Sequence, residues 1–324
     1  MNRKQIVKRV LIGIGTVALA VILLVAFLSI RHAIKSEKEE ALIQHAYGEY
    51  FTLSTGERMN YTFYDSKSEE VAVILPGFGC PTVHYDFDAL AKRLNSNYKI
   101  VIVEPLGYGL SDGTARERTA ENYCAELHEL MCALKYDSYT IIGHSISGLY
   151  ALAYCNMYED EVKAFIGIDA SVPKQIDILP EKELPEMQYK TTKSVRSFLV
   201  NTGIYRLWVE KNFDSAVAGI PTLTEEDKVI MQALYCHETF NDTQLNELKL
   251  MEENLKNLYS DTFPNSIPVL YLLSYENQNQ MPGWQMVHEG MSANEKSEII
   301  VVRGSHSLHF TSLDAVVRTI FNWD

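Results

Sequence analysis

The sequence of 324 residues predicts an α/β fold, a mostly parallel central sheet with helices on both faces. Three observations carry this. Residues 71–75 (Val-Ala-Val-Ile-Leu) form an unbroken apolar run, the pattern of a strand buried on both faces. Similar runs at 98–103, 162–168, 268–273 and 298–302 alternate with helix-compatible stretches, which implies parallel strands joined by helical crossovers. Finally, residues 143–148 read Gly-His-Ser-Ile-Ser-Gly between the β-branched run 139–142 and the helix-compatible stretch 149–157, so a serine sits at the apex of a strand-turn-helix.

Each element follows from its residues. A turn this sharp forces its apex residue into a strained backbone conformation and brings the chain so close to itself that the flanking positions must be small. Gly143 and Ser147 meet that need, and Gly148 follows at once. The apex also lies at a helix start, where free N–H groups and the helix dipole favour developing negative charge. Ser145 is therefore a candidate nucleophile. A buried serine in a Gly-rich turn is the plainer alternative, and Ser147 departs from strict G-x-S-x-G. The run 71–75 ends in Pro76-Gly77-Phe78-Gly79, and 98–103 runs into Gly107-Tyr108-Gly109-Leu110-Ser111. The run 298–302 leads to Gly304-Ser305-His306.

These four ordered motifs over residues 50–322 resemble the α/β-hydrolase superfamily, and the match implies an esterase- or lipase-like serine hydrolase. In that family the triad runs serine, acid, histidine along the chain, so the resemblance implies Ser145 and His306 for two roles. The acid is expected just beyond the run 268–273, where Asn277 occupies the usual position and Glu276 is its neighbour. An asparagine can orient an imidazole but supplies no charge, so Glu276 is the expected acid, with Asp169, at the end of the run 162–168, as alternative. His309 competes for the base but lacks the Gly-x-His context of His306. The resemblance also implies an oxyanion hole from the backbone N–H groups of Phe78 and Ile146. Relatives often have histidine where this chain has Pro76, which bears on the packing of that loop. Cys80, nearby, is expected to be a packing residue.

Residues 10–30 are uncharged and apolar all round, close to the roughly 20 residues a helix needs to cross a bilayer. A cleavable signal peptide has a shorter apolar region and a small-residue cleavage pattern, and Ala26-Phe27-Leu28 fits poorly, so a retained transmembrane helix is expected. Arg3, Lys4, Lys8 and Arg9 precede the stretch, while Arg31, Lys35 and Lys38 follow it. That balance slightly favours a cytoplasmic basic tail at 1–9 and an extracytoplasmic hydrolase domain. Residues 31–49 read as a juxtamembrane linker.

The domain at 50–322 carries an expected helical cap at about 171–265, which lacks buried-strand runs. Its residues Leu179, Met187, Tyr189, Phe198, Leu199, Tyr205, Leu207 and Trp208 are read as the cap's own core or as the lining of an acyl pocket. A net charge of −13 argues against nucleic acid as partner. The nine histidines show no HExxH spacing, and no paired Cys-x-x-Cys occurs, so no metal site and no cofactor is expected. Cys124 and Cys132, about 12 Å apart along one helix, are too distant for a bridge. The expected partners are the membrane, through residues 10–30, and a small-molecule or lipid-like acyl substrate. Carboxylic ester hydrolysis is the expected reaction, with a peptidase, an acyltransferase or a non-catalytic binding protein as alternatives.

Overall fold

Alternation along each strand sets the layers of this fold. In the computed structural model, which describes residues 3–180, 184–220 and 223–323, Val73, Val101 and Ile141 face one way and Ala72, Ile100 and Ile142 the other. Helix α1 (Arg3–Ile43) leads to an antiparallel pair, β1 (Glu49–Thr52) and β2 (Arg58–Tyr64). β3 (Val71–Leu75), α2 (Val83–Leu94), β4 (Lys99–Glu104), α3 (Ala120–Ala133), β5 (Tyr139–His144), α4 (Ser147–Met157) and β6 (Val162–Ile168) follow as alternating units. Then come α5 (Pro185–Asn201), α6 (Ile204–Val217), α7 (Glu225–Glu238) and α8 (Asp242–Asn257). The chain finishes with β7 (Val269–Ser274), α9 (Tyr275–Gln280), α10 (Trp284–His288), β8 (Glu298–Val302), α11 (Leu308–Thr311) and α12 (Leu313–Asn322).

The strands form one sheet in the order β1-β2-β4-β3-β5-β6-β7-β8, with β2 antiparallel to both neighbours and every pair from β4 to β8 parallel. One face packs on α3 and α4 through Leu127, Leu130, Leu149 and Leu152; the other packs on α2 and α12 through Leu90, Leu94, Val316 and Ile320. β4 and β5 run on either side of β3, so the strand order reverses there. The crevice outside the carboxyl ends of such strands is where this architecture places ligands.

Helices α5–α8 lie between β6 and β7, within the span expected as a cap. Their ends follow local chemistry: Thr224 and Asp227 form a reciprocal capping box on α7, and the Asn241 side chain accepts from Gln244 N–H at 3.0 Å on α8. The expected linker differs from the structure. α1 continues without a break through Ile43, because residues 31–43 keep good helix formers and gain charged contacts with α6. Its most apolar stretch has a mean hydropathy of 2.9 and none of it is buried, so the helix is long and apolar enough to cross a membrane.

Candidate active site

β5 ends at His144 and α4 begins at Ser147, so the chain must reverse within two residues. Ser145 takes the strain, with φ 52°. Its carbonyl accepts from the N–H of Gly148 at 2.9 Å and of Ser171 at 2.7 Å, which lock the turn. A Cβ on Gly148 would lie 2.4 Å from the Ser171 carbonyl oxygen, so this is the position that cannot carry a side chain. Ser147, at the second glycine of the usual pattern, is fully buried and donates its hydroxyl to the Pro76 carbonyl. The substitution thus ties the elbow to the loop after β3. Gly77 in that loop also approaches closely: a Cβ there would lie 2.6 Å from His144 Nδ1 and 3.2 Å from the Ser145 Cβ.

The carboxylate beside His306 is that of Asp169. Its Oδ2 lies 2.6 Å from His306 Nδ1, across 137 residues of sequence. Asp169 ends β6 in a left-handed conformation, φ 44°, and is fully buried. Its other oxygen accepts from Ser274 N–H at 2.8 Å and from the Trp284 indole at 2.9 Å, and Asn277 Nδ2 donates to Oδ2 at 2.6 Å. A buried carboxylate with four partners is oriented and compensated for lost solvent. With Nδ1–H committed to Asp169, the other ring nitrogen of His306 is left as the acceptor.

The structure does not bring Glu276, the expected acid, to His306. Glu276 falls in the first turn of α9 with its side chain exposed, and its backbone N–H bonds Gly304 O at 3.3 Å. Helical spacing turns the next residue, Asn277, inward, where its amide lies 3.1 Å from His306 Nδ1. The carboxylate placed against His306 is that of the alternative, Asp169, and the Asn277 amide lies against both groups. Trp284, Ser274 and Asn277 thus surround the acid. The position of Asn277 was legible from the sequence, but nothing in it marks Trp284 or Ser274.

His309 is buried and stacks on Phe87 at 4.3 Å, and burial pushes its pKa down to about 3. It is a neutral packing group. His144, the neighbour of Ser145, donates Nε2–H to the His306 carbonyl at 3.2 Å. Burial, and then the rings of His309 and His306, hold its pKa far below the usual range, so it stays an uncharged strut.

Phe78 is half-buried and Ile146 buried; among the described residues neither backbone N–H donates to a turn or loop carbonyl. The loop that carries Phe78 is fixed through Gly79, whose N–H donates to Tyr108 Oη at 3.3 Å. The Tyr108 hydroxyl in turn donates to Glu247 of α8 at 2.7 Å, and Tyr150 of α4 donates to the same carboxylate at 2.8 Å. A residue of α8 therefore braces both the Phe78 loop and the elbow helix. Cys80 donates its thiol to Asp86 at 3.2 Å, and burial raises its pKa well above the ordinary value, which leaves it protonated and unreactive.

A cleft of about 280 Å³ is lined by α5, by Tyr205 of α6 and by Thr239 and Phe240 of the α7–α8 connection, and the Phe240 ring centroid lies 6.0 Å from that of Phe78. Val195, Leu199, Tyr205 and Phe240 line it. Of the apolar cap residues read from the sequence, Leu199 and Tyr205 therefore face a cleft, while Met187, Phe198, Leu207 and Trp208 are exposed. Elsewhere, His128, Cys132 and Glu161 bring ligand-type atoms within 4.8 Å of one another. There Glu161 is engaged by His128 and by the hydroxyls of Tyr139 and Tyr154.

A family model described as the α/β hydrolase fold matches residues 72–204. An uncharacterized protein of Bacillus subtilis, YbdG, is 25% identical over 313 residues, covering 93% of each chain. Lipase 3 of Moraxella sp. is 33% identical over 135 residues, 39% of this chain and 42% of its own. An epoxide hydrolase variant from Vigna radiata superposes with a TM-score of 0.65 at 16% identity, over 85% of this chain and 98% of its own, and so shares the fold. The sheet, the elbow and these matches together show that the chain has the α/β-hydrolase fold.

Proposed function

We propose that the chain is a membrane-anchored serine hydrolase that cleaves carboxylic esters, with Ser145, His306 and Asp169 as its triad. The observation that carries this reading is the 2.6 Å pairing of buried Asp169 with His306, beside an elbow that holds Ser145 at φ 52°. Ser145 Oγ attacks the ester carbonyl while His306 Nε2 takes its proton. Asp169 keeps the ring in the required tautomer and stabilises the imidazolium. The oxyanion receives the Ile146 and Phe78 N–H groups. Collapse breaks the C–O bond, the alcohol leaves with the proton from His306, and water deprotonated by His306 then releases the acid.

Serine at the elbow favours acyl transfer over epoxide opening, because attack on an epoxide would leave an alkyl ether on Ser145 that water and a histidine do not cleave. A peptidase or acyltransferase would share the acyl-enzyme and differ in the leaving group or acceptor. The non-catalytic reading rested on the amide at 277, and the Asp169 carboxylate beside His306 speaks against it. α1 holds the enzyme in the membrane through residues 10–30. The basic residues ahead of that stretch favour a domain outside the cytoplasm.

A chromogenic ester tests this. Rapid mixing should give a burst of alcohol stoichiometric with enzyme, followed by slower turnover, and Ser145→Ala should give neither. Steady ester turnover in the Ser145→Ala protein would reject the assignment.

A further inference from the structure

We propose that the exposed α5–α6 face of the cap is a bilayer-docking surface, so that an amphiphilic ester reaches the α5–α6 cleft from the membrane. The inference rests on the reading of α1 as a retained anchor and names the substrate class of the proposed hydrolase.

α1 is clamped to the cap where its apolar stretch ends. Arg206 of α6, only 2% exposed, donates to both Glu39 carboxylate oxygens at 2.6 and 2.7 Å, to Ser36 Oγ at 3.0 Å and to His32 Nδ1 at 3.0 Å. One turn on, Glu210 accepts from Arg31 at 2.7 Å and Lys35 at 2.7 Å. At the α5–α6 turn the approach is closer still: a Cβ on Gly203 would lie 2.8 Å from both the Leu28 carbonyl oxygen and His32 Cβ. Leu28 belongs to the last turn of the apolar stretch, so the α5–α6 turn sits at the depth where that helix leaves the bilayer.

The side chains flanking this contact suit a membrane interface. Phe198 lies about one turn before Gly203, and Leu207 and Trp208 about one turn after; they are 57%, 40% and 56% exposed. Val195 and Met187 extend the apolar face along α5. Aromatic and aliphatic groups at this level partition into the interfacial region, tryptophan above all. Charge agrees. Apart from Arg206, which is spent on Glu39, the segment 185–208 sets one acidic side chain, Glu186, against Lys190, Lys193 and Arg196, in a chain of net charge −13, so it complements anionic headgroups. Val195 belongs both to the exposed face and to the cleft lined by Phe240. An acyl chain in that cleft would lie against Phe240, whose ring centroid is 6.0 Å from that of Phe78 in the proposed oxyanion loop.

The native tryptophans provide the test. Trp284 is 3% exposed beside Asp169, and Trp323 lies at the far end of the chain, bonded to the Lys296 carbonyl. Trp208 is thus the indole placed to meet lipid. The full chain is reconstituted into phosphatidylcholine–phosphatidylglycerol vesicles, with or without phosphatidylcholine dibrominated at its upper acyl carbons, and co-flotation establishes incorporation. Brominated lipid should quench emission in the wild type, and Trp208→Phe should lose that quenching. Incorporation without quenching, or quenching unchanged in Trp208→Phe, would overturn the docking surface while leaving the anchor standing. So would a dimer that shields Trp208 from lipid. A chain that does not float with the vesicles would overturn the anchor and this inference with it, while the ester burst would still report on the triad.

Discussion

Glu104 offers a prediction whose size can be worked from the structure. It ends β4, is 1% exposed, and its carboxylate accepts from Leu110 N–H at 2.6 Å, from the Tyr47 hydroxyl at 2.8 Å and from His84 N–H at 3.4 Å. Burial outweighs these bonds and lifts its pKa from the ordinary 4.5 to about 7. Between those values the folded chain keeps a proton that the unfolded chain has released. The extra stability is therefore full below pH 4.5, declines as pH rises, and is gone above about 7. At about 1.4 kcal/mol per pH unit across that window, the loss is about 3 kcal/mol. Glu104→Gln keeps an acceptor for Leu110 or Tyr47 and removes the titration. Denaturant unfolding of both proteins in detergent at pH 4.5 and pH 8 should show the wild-type advantage over the variant shrinking by about that amount. Asp86, also raised by burial to about 6, is present in both proteins and cancels. A wild-type–variant difference that stays flat from pH 4.5 to 8 would refute the argument.

The acid assignment gives a second prediction. Asp169→Asn should lower kcat by roughly 10⁴-fold, while Glu276→Gln, on the exposed side of α9, should leave it within about twofold; ester turnover by the two purified, folded variants decides, and the reverse ranking would restore Glu276. For the α1 clamp, Arg206→Ala should cost about 2 kcal/mol, below the figure for a fully buried pair because the Glu39 side chain stays 20% exposed. Thermal melting should record that loss, and limited proteolysis should show faster cleavage within residues 31–48; an unchanged melt with an unchanged digest would contradict the clamp.

The parts of the fold readable from the sequence are those whose cause is local. β3, β4, β5, β6 and β7 announce themselves because strands covered on both faces need continuous apolar runs, and β8, though at the sheet edge, is legible from its own apolar run at 299–302. β1 and β2 pass unremarked because β1 is a four-residue edge strand and polar residues such as Asn60 and Thr62 interrupt the apolar pattern of β2 beside it. Ser145 stands out because a strained turn restricts its neighbours within a few residues. The identity of the acid is not local in this sense. Whether residue 169 or 276 meets His306 depends on how the ends of β6 and β7 lie beside the loop after β8. A helix that starts at Tyr275 turns Glu276 outward and Asn277 inward. Apolarity marks where residues 10–30 end and says nothing of where the helix ends, which the Arg206 clamp and charged helix formers extend to Ile43. In the cap, Phe198, Leu207 and Trp208 look like core because hydrophobicity alone cannot distinguish a packed face from one left exposed.

The most direct measurement is site mapping with a fluorophosphonate, which phosphonylates a serine only where a base activates it and an oxyanion hole receives the charge. Intact-mass and peptide mass spectrometry of the treated full-length chain should show a single adduct, on Ser145. That adduct should be absent in Ser145→Ala and strongly slowed in His306→Ala and Asp169→Asn. An adduct on another residue, no adduct under conditions that label a control serine esterase, or undiminished labelling in Asp169→Asn would contradict the account.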